Sequence, residues 1–201
     1  MDSAEFFEHR LAGSPVLGIF RNHDPAETVA ACERAWEFGV ELVEIPVQSP
    51  DAVPSLRAAL DAARERGKAV GAGTVTTVSQ LREVHELGAA FTVAPGLHPE
   101  VADESQRIGL PHLPGVATST EIAAALARGY TWLKAFPAKQ LGAEWITAQL
   151  APFPAVRFVA TGGIGAGNAG EFLRAGCRGV AVGSALEDPD SLPLLREAVS
   201  A

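Results

Sequence analysis

From end to end the chain alternates between short runs rich in Val, Ile, Leu and Phe and longer stretches where apolar residues recur at helical spacing. The runs predict strands over 16–20, 40–45, 69–73, 91–94, 112–116, 131–136, 157–161 and 179–182. The stretches between them predict helices over 25–38, 52–66, 77–87, 99–108, 119–127, 143–150, 166–175 and 192–200. Asp24-Pro25 places an N-cap before a proline at the first helical position. Gly39, Gly67, Gly88, Gly109, Gly129 and Gly176 stand where helices should stop. With no Pro/Ser-rich linker and no break in composition, residues 1–201 are expected to form a single domain.

Strand–helix units of about 25 residues, repeated eight times, point to an α/β fold of the (β/α)8 TIM-barrel type with few insertions. An open, doubly wound sheet competes, because strand count alone does not prove closure. Both folds put their chemistry at the C-terminal ends of the strands, which turns the sequence into a short register of positions.

Composition removes several alternatives. Hydrophobic residues make up 47% and charged residues 20%, which is globular composition rather than that of a disordered chain. The net charge is −8 and no basic block interrupts it, which argues against a nucleic-acid partner. No apolar run approaches the ~18 residues of a membrane span, and the acidic start Met1-Asp2-Ser3-Ala4-Glu5 lacks a signal-peptide layout, so a cytoplasmic protein is expected. Cys32 and Cys177 are far apart and read as packing residues. His9, His23, His85, His98 and His112 are scattered without a ligand spacing, so no metal site is expected. His23 and His98 read as loop or helix-start contacts.

Against that background the polar residues at strand ends stand out. The chain has three lysines, Lys68, Lys134 and Lys139, and only Lys134 lies inside an apolar strand, Trp132-Leu133-Lys134-Ala135-Phe136. Alternation puts Trp132, Lys134 and Phe136 on one side. A strand-end lysine can snorkel to water, but an apolar setting also favours the uncharged amine that attacks a carbonyl. Glu44 breaks the run Val40-Glu41-Leu42-Val43-Glu44-Ile45 near its functional end, either as an ion-pair partner or as a proton shuttle. Thr161-Gly162-Gly163 and Gly183-Ser184 close the last two strands, where barrel loops often hold phosphate on backbone N–H groups; tight turns alone are the bland reading. Such a turn site needs no lysine or arginine. Arg21, just past the first strand, is either surface charge or a clamp for a carboxylate.

Taken in order, Val43-Glu44-Ile45, Gly71-Ala72-Gly73-Thr74-Val75, Ala94-Pro95-Gly96, Leu113-Pro114-Gly115-Val116-Ala117-Thr118, Leu133-Lys134-Ala135-Phe136-Pro137, Thr161-Gly162-Gly163 and Val182-Gly183-Ser184 resemble the KDPG/KHG aldolase family of class I pyruvate aldolases. The resemblance runs from about the first strand to the eighth. It implies a (β/α)8 barrel, usually a homotrimer, without metal or cofactor. It implies an aldehyde-lyase that cleaves the phosphorylated sugar acid 2-keto-3-deoxy-6-phosphogluconate to pyruvate and glyceraldehyde 3-phosphate. A further substrate would be 4-hydroxy-2-oxoglutarate, giving pyruvate and glyoxylate. Lys134 would form the Schiff base and Glu44 move protons. Thr74 and Thr161 would face the pyruvyl part, Pro95 and Phe136 line its pocket, and Gly162, Gly163, Gly183 and Ser184 take the phosphate. Some members carry an arginine after the second strand for the substrate carboxylate. Here that position is Gln48, and Arg21 fits the members that place the arginine after the first strand. The run Val43–Ser49 with Pro50 also looks like the branch that cleaves 2-keto-3-deoxy-6-phosphogalactonate. Two rivals remain at this level. A phosphate-binding isomerase or epimerase has no use for a lysine in a strand, and a non-catalytic sugar-acid phosphate-binding barrel differs in that its lysine would not react with pyruvate.

Overall fold

A computed structural model describes residues 2–200. Nine parallel strands form one sheet: β1 (Val16–Ile19), β2 (Leu42–Pro46), β3 (Ala69–Gly73), β4 (Thr92–Val93), β5 (His112–Leu113), β6 (Gly115–Val116), β7 (Trp132–Ala135), β8 (Arg157–Thr161) and β9 (Gly179–Val182). Their order is β5-β4-β3-β2-β1-β9-β8-β7-β6. β5 and β6 are two halves of the single strand expected over 112–116. Pro114 separates them because proline has no N–H to give to a ladder. β5 pairs with β4 and β6 with β7, so one segment joins both ends of the sheet and brings it round into a barrel. Across the break the Lys134 N–H still donates to the Pro114 carbonyl at 2.9 Å.

Helices cover the outside: α2 (Pro25–Phe38), α3 (Val53–Arg66), α4 (Val78–Glu86), α5 (Pro99–Ile108), α6 (Ser119–Leu126), α8 (Ala143–Leu150), α9 (Ala169–Arg174) and α11 (Ser191–Ser200). The Asp24 carboxylate accepts from the Glu27 N–H and the Glu27 carboxylate from the Asp24 N–H, a capping box that starts α2. Gly39, Gly67 and Gly109 end α2, α3 and α5 in the left-handed conformation. Among the described residues no helix is long and apolar enough to cross a membrane.

Three helices go beyond the expectation. α7 (Ala138–Leu141) and α10 (Ser184–Glu187) are single turns just after β7 and β9. α1 (Ser3–Leu11) precedes the barrel, and its signal was the capping box of Asp2 with Glu5 followed by Phe6, Phe7 and Leu11. Those three side chains close the N-terminal end of the barrel. Phe7 meets Phe91 at 5.8 Å and Trp132 at 6.2 Å between ring centroids. They join Leu17, Leu42, Val93, Leu113 and Val159 in an interior core distinct from the larger core under the helices. Interior space is apportioned by size. A Cβ on Gly71 would lie 2.7 Å from the Phe91 ring, so β3 carries glycine where its neighbour carries an aromatic.

Thr92 and His112 are on the opposite strand face from Val93 and Leu113, under the helices. The Thr92 hydroxyl and His112 Nδ1 are hydrogen-bonded at 2.9 Å, and Nε2 has no partner among the described residues. Burial, with a smaller effect of His98, lowers the His112 pKa from 6.5 to about 3. Between those values the unfolded chain takes up a proton that the folded one refuses. Stability from this site is therefore full above pH 6.5 and is lost as the pH falls toward 3. Urea unfolding midpoints measured from about pH 7.5 down to about pH 4 should fall more steeply for the wild type than for His112→Gln. Parallel profiles would remove His112 as a source of acid sensitivity.

Candidate active site

Glu44 and Lys134 are the two charged residues that point into the barrel toward its C-terminal end. Glu44 shares the inward face of β2 with Leu42, and Lys134 that of β7 with Trp132. β2 and β7 are separated by β1, β9 and β8 one way round and by β3, β4 and the split strand the other. The two side chains therefore meet across the interior, and only closure of the barrel brings them together. Lys134 Nζ lies 3.7 Å from Glu44 Oε1, with the side chains 6% and 2% exposed. The amine is also 5.2 Å from the centre of the Phe136 ring.

Room for the carboxyl comes from β3. A Cβ on Gly73 would lie 2.5 Å from Glu44 Oε2. That oxygen is buried and has no hydrogen-bond partner among the described residues. Burial raises the Glu44 pKa above its ordinary value, opposed first by the charge of Lys134 and then by that of Arg21. A buried carboxyl beside a primary amine is placed to accept and return a proton.

Arg21 follows β1 at the mouth. Its Nη1 donates to Gln48 Oε1 and its Nη2 to Thr74 Oγ1, each at 3.5 Å. Gln48 Nε2 in turn donates to Asn22 Oδ1 at 3.0 Å. Asn22 and Thr74 are the described non-glycine residues with positive φ, at 63° and 60°. Asparagine tolerates that conformation, whereas for a β-branched threonine it is a strained outlier of the kind that clusters at ligand sites. Gln48 thus keeps company with Arg21 rather than merely replacing an arginine. Sequence reasoning missed Asn22, whose only signal was a residue tolerant of the left-handed region beside Arg21.

The remaining expected residues surround the same opening. Thr161 is buried at the end of β8, on the inward face with Val159. Pro95 lies after β4, where Gly115 admits its backbone; a Cβ there would be 2.3 Å from the Pro95 carbonyl. Gly162 and Gly163 have φ of 96° and 73°. Asn168 staples their turn, donating from Nδ2 to the Gly163 carbonyl at 3.0 Å and accepting from the Gly165 N–H at 2.9 Å. Gly183 passes close to the Ile19 carbonyl, and exposed Ser184 begins α10. A lysine stem also reaches the glycine turn. α7 lays the stem of Lys139 across Gly163, 2.8 Å from where its Cβ would be. The two loop histidines have other surroundings. His23 Nε2 pairs with Glu187 at 3.4 Å, and His98 precedes α5 without a side-chain cap. Burial pushes the Cys32 and Cys177 thiols up to about 12, which suits packing and not reactivity.

A family model described as "KDPG and KHG aldolase" matches residues 7–194. The chain is 35% identical to a probable 2-dehydro-3-deoxy-6-phosphogalactonate aldolase of Rhizobium meliloti (strain 1021), over 87% of this chain and 82% of that one. It is also 35% identical to the KHG/KDPG aldolase of Escherichia coli (strain K12), over 83% and 78%. Among solved structures it superposes with TM-score 0.81 and 27% identity on a KDPG aldolase from Legionella pneumophila that holds pyruvate as a covalent carbinolamine. That match covers 94% of this chain and 95% of the other.

The opening at Gly73 generates a test. Gly73→Ala should displace the Glu44 carboxyl, destabilise the protein by about 1–3 kcal/mol as overpacking does, and lower turnover of a cleavable keto acid at least ~10²-fold. Unfolding curves and steady-state rates measure both. Full turnover in a folded variant would mean that the carboxyl does not depend on this space.

Proposed function

The chain belongs to the KDPG and KHG aldolase family, and from that premise we propose that it cleaves 2-keto-3-deoxy-6-phosphogluconate to pyruvate and glyceraldehyde 3-phosphate through a Schiff base on Lys134. The observation that carries this reading is the lysine amine 3.7 Å from a buried carboxyl inside the barrel. Lys134 Nζ attacks the C2 ketone to give a carbinolamine, which loses water to give an iminium. The iminium accepts the electron pair of the C3–C4 bond as Glu44 removes the C4 hydroxyl proton, releasing the aldehyde and leaving an enamine. Glu44, protonated in that step, returns a proton to C3. Water then hydrolyses the iminium, freeing pyruvate and regenerating the amine. The Legionella carbinolamine supports the first step by analogy.

The rim supplies recognition. Arg21, with Thr74, binds the carboxylate; Gln48 holds Arg21 and, being a neutral amide, brings no charge of its own. Phe136, Pro95 and Thr161 surround the pyruvyl carbons. The amides of Gly162, Gly163, Gly183 and Ser184 take the phosphate. The run Val43–Ser49 with Pro50, and the similarity to the Rhizobium meliloti protein, favour a second reading, in which the substrate is the C4 epimer 2-keto-3-deoxy-6-phosphogalactonate. 4-Hydroxy-2-oxoglutarate fits the same chemistry without the phosphate. A homotrimer, as the family resemblance implies, working in the cytoplasm completes the proposal.

Pyruvate release from both phosphorylated epimers and from 4-hydroxy-2-oxoglutarate tests the activity. At least one phosphorylated epimer should be cleaved, and Glu44→Gln should slow that cleavage about 10²–10⁴-fold. Release from none of the three would end the proposal. For the carboxylate, Arg21→Ala should weaken pyruvate binding roughly 10–100-fold, the loss of a charge-assisted contact, and Gln48→Ala less. A larger effect at Gln48 would reverse the assignment.

A further inference from the structure

Lys139 is the lysine without a carboxylate partner among the described residues. Lys68 pairs with Glu41 at 3.1 Å and Lys134 with Glu44 at 3.7 Å. Its position is fixed from both sides. The Lys139 N–H donates to the Gly162 carbonyl at 3.0 Å, tying α7 to the turn after β8. Its stem then runs over Gly163, where an added Cβ would lie 2.8 Å from Lys139 Cβ, 3.3 Å from Cγ and 2.8 Å from Cδ. Gly163 therefore needs to be glycine twice over, for its φ of 73° and for the lysine that occupies its side-chain space. Nζ lies two bonds past Cδ, roughly 2.5 Å further by ordinary bond lengths, within reach of an anion held on the amides of this turn.

We propose that Lys139 supplies the positive charge of the phosphate subsite and sets the preference for phosphorylated over unphosphorylated sugar acids, an inference that rests on the glycine-turn reading above. A phosphate monoester carries about −1.5 to −2 charge near neutral pH, and a chain of net charge −8 repels it at long range. Backbone amides alone offer partial charges; an ammonium at the turn adds a charge-assisted contact that a substrate without phosphate does not use.

The measurement is the ratio of kcat/KM for 2-keto-3-deoxy-6-phosphogluconate, or its C4 epimer, to that for the same acid without phosphate. Lys139→Met should lower this ratio about 10-fold or more, the size of one charge-assisted contact, and Lys139→Glu further. Lys139→Arg should keep it within about 3-fold of the wild type, because the charge is retained. Inorganic phosphate should inhibit the wild type competitively and the Met variant more weakly, with the difference shrinking at about 0.5 M salt. An unchanged ratio in Lys139→Met, with the wild type still preferring the phosphorylated acid and Gly163→Val still losing that preference, overturns the role of Lys139 and leaves the turn as the phosphate site. No preference in the wild type overturns both.

Discussion

An acid and an amine brought together in an interior that is otherwise apolar impose most of what surrounds them. Each ion buried there costs several kcal/mol in lost hydration, and removing one partner would strand the other. Glu44 and Lys134 bear that cost together, at 3.7 Å. Burial raises the Glu44 pKa, and the charge of Lys134 opposes that rise. Glycine at 73 makes the space, Gly71 and Phe91 fill the layer beneath, and α1 with Phe6, Phe7 and Leu11 shuts water out from the far end. The result is an apolar floor beneath the paired amine and carboxyl, closed at the N-terminal end of the barrel.

The mouth divides into two ends. On one, Arg21, Gln48 and Thr74 converge from the loops after β1, β2 and β3, and the strained φ of Thr74 marks a backbone held in place by its neighbours. On the other, the turn after β8 carries Gly162 and Gly163, with the stem of Lys139 laid across Gly163, and Gly183 follows β9. In the proposed function the substrate carboxylate binds at the first end and its phosphate at the second. That proposal puts the ketone over Lys134, between the two.

The barrel was legible because strand runs and helix stops repeat with unusual regularity, and because a lysine and a glutamate in apolar runs have few structural uses. What escaped was set by proximity in space. α1 carried a capping box, yet its purpose depends on the open end of a barrel that strand patterns do not display. The break at Pro114 follows from the missing N–H of one residue in a run whose apolar character reads as continuous. Asn22 and Lys139 have ordinary surface composition; only the folded loops bring one to Gln48 and the other onto Gly163. Val40 illustrates the same limit from the other side. Alternation alone groups it with Leu42 and Glu44, but β2 begins at Leu42 and Val40 packs under the helices.

The central claim is that the amine facing Glu44 is the nucleophile. Incubating the protein with pyruvate and borohydride, then mapping peptides by mass spectrometry, tests it directly, because reduction of the imine fixes a carboxyethyl group on the lysine that formed it. The account predicts one such group per chain, on Lys134. A group on Lys139 or Lys68, or none at all in a folded protein, would contradict it.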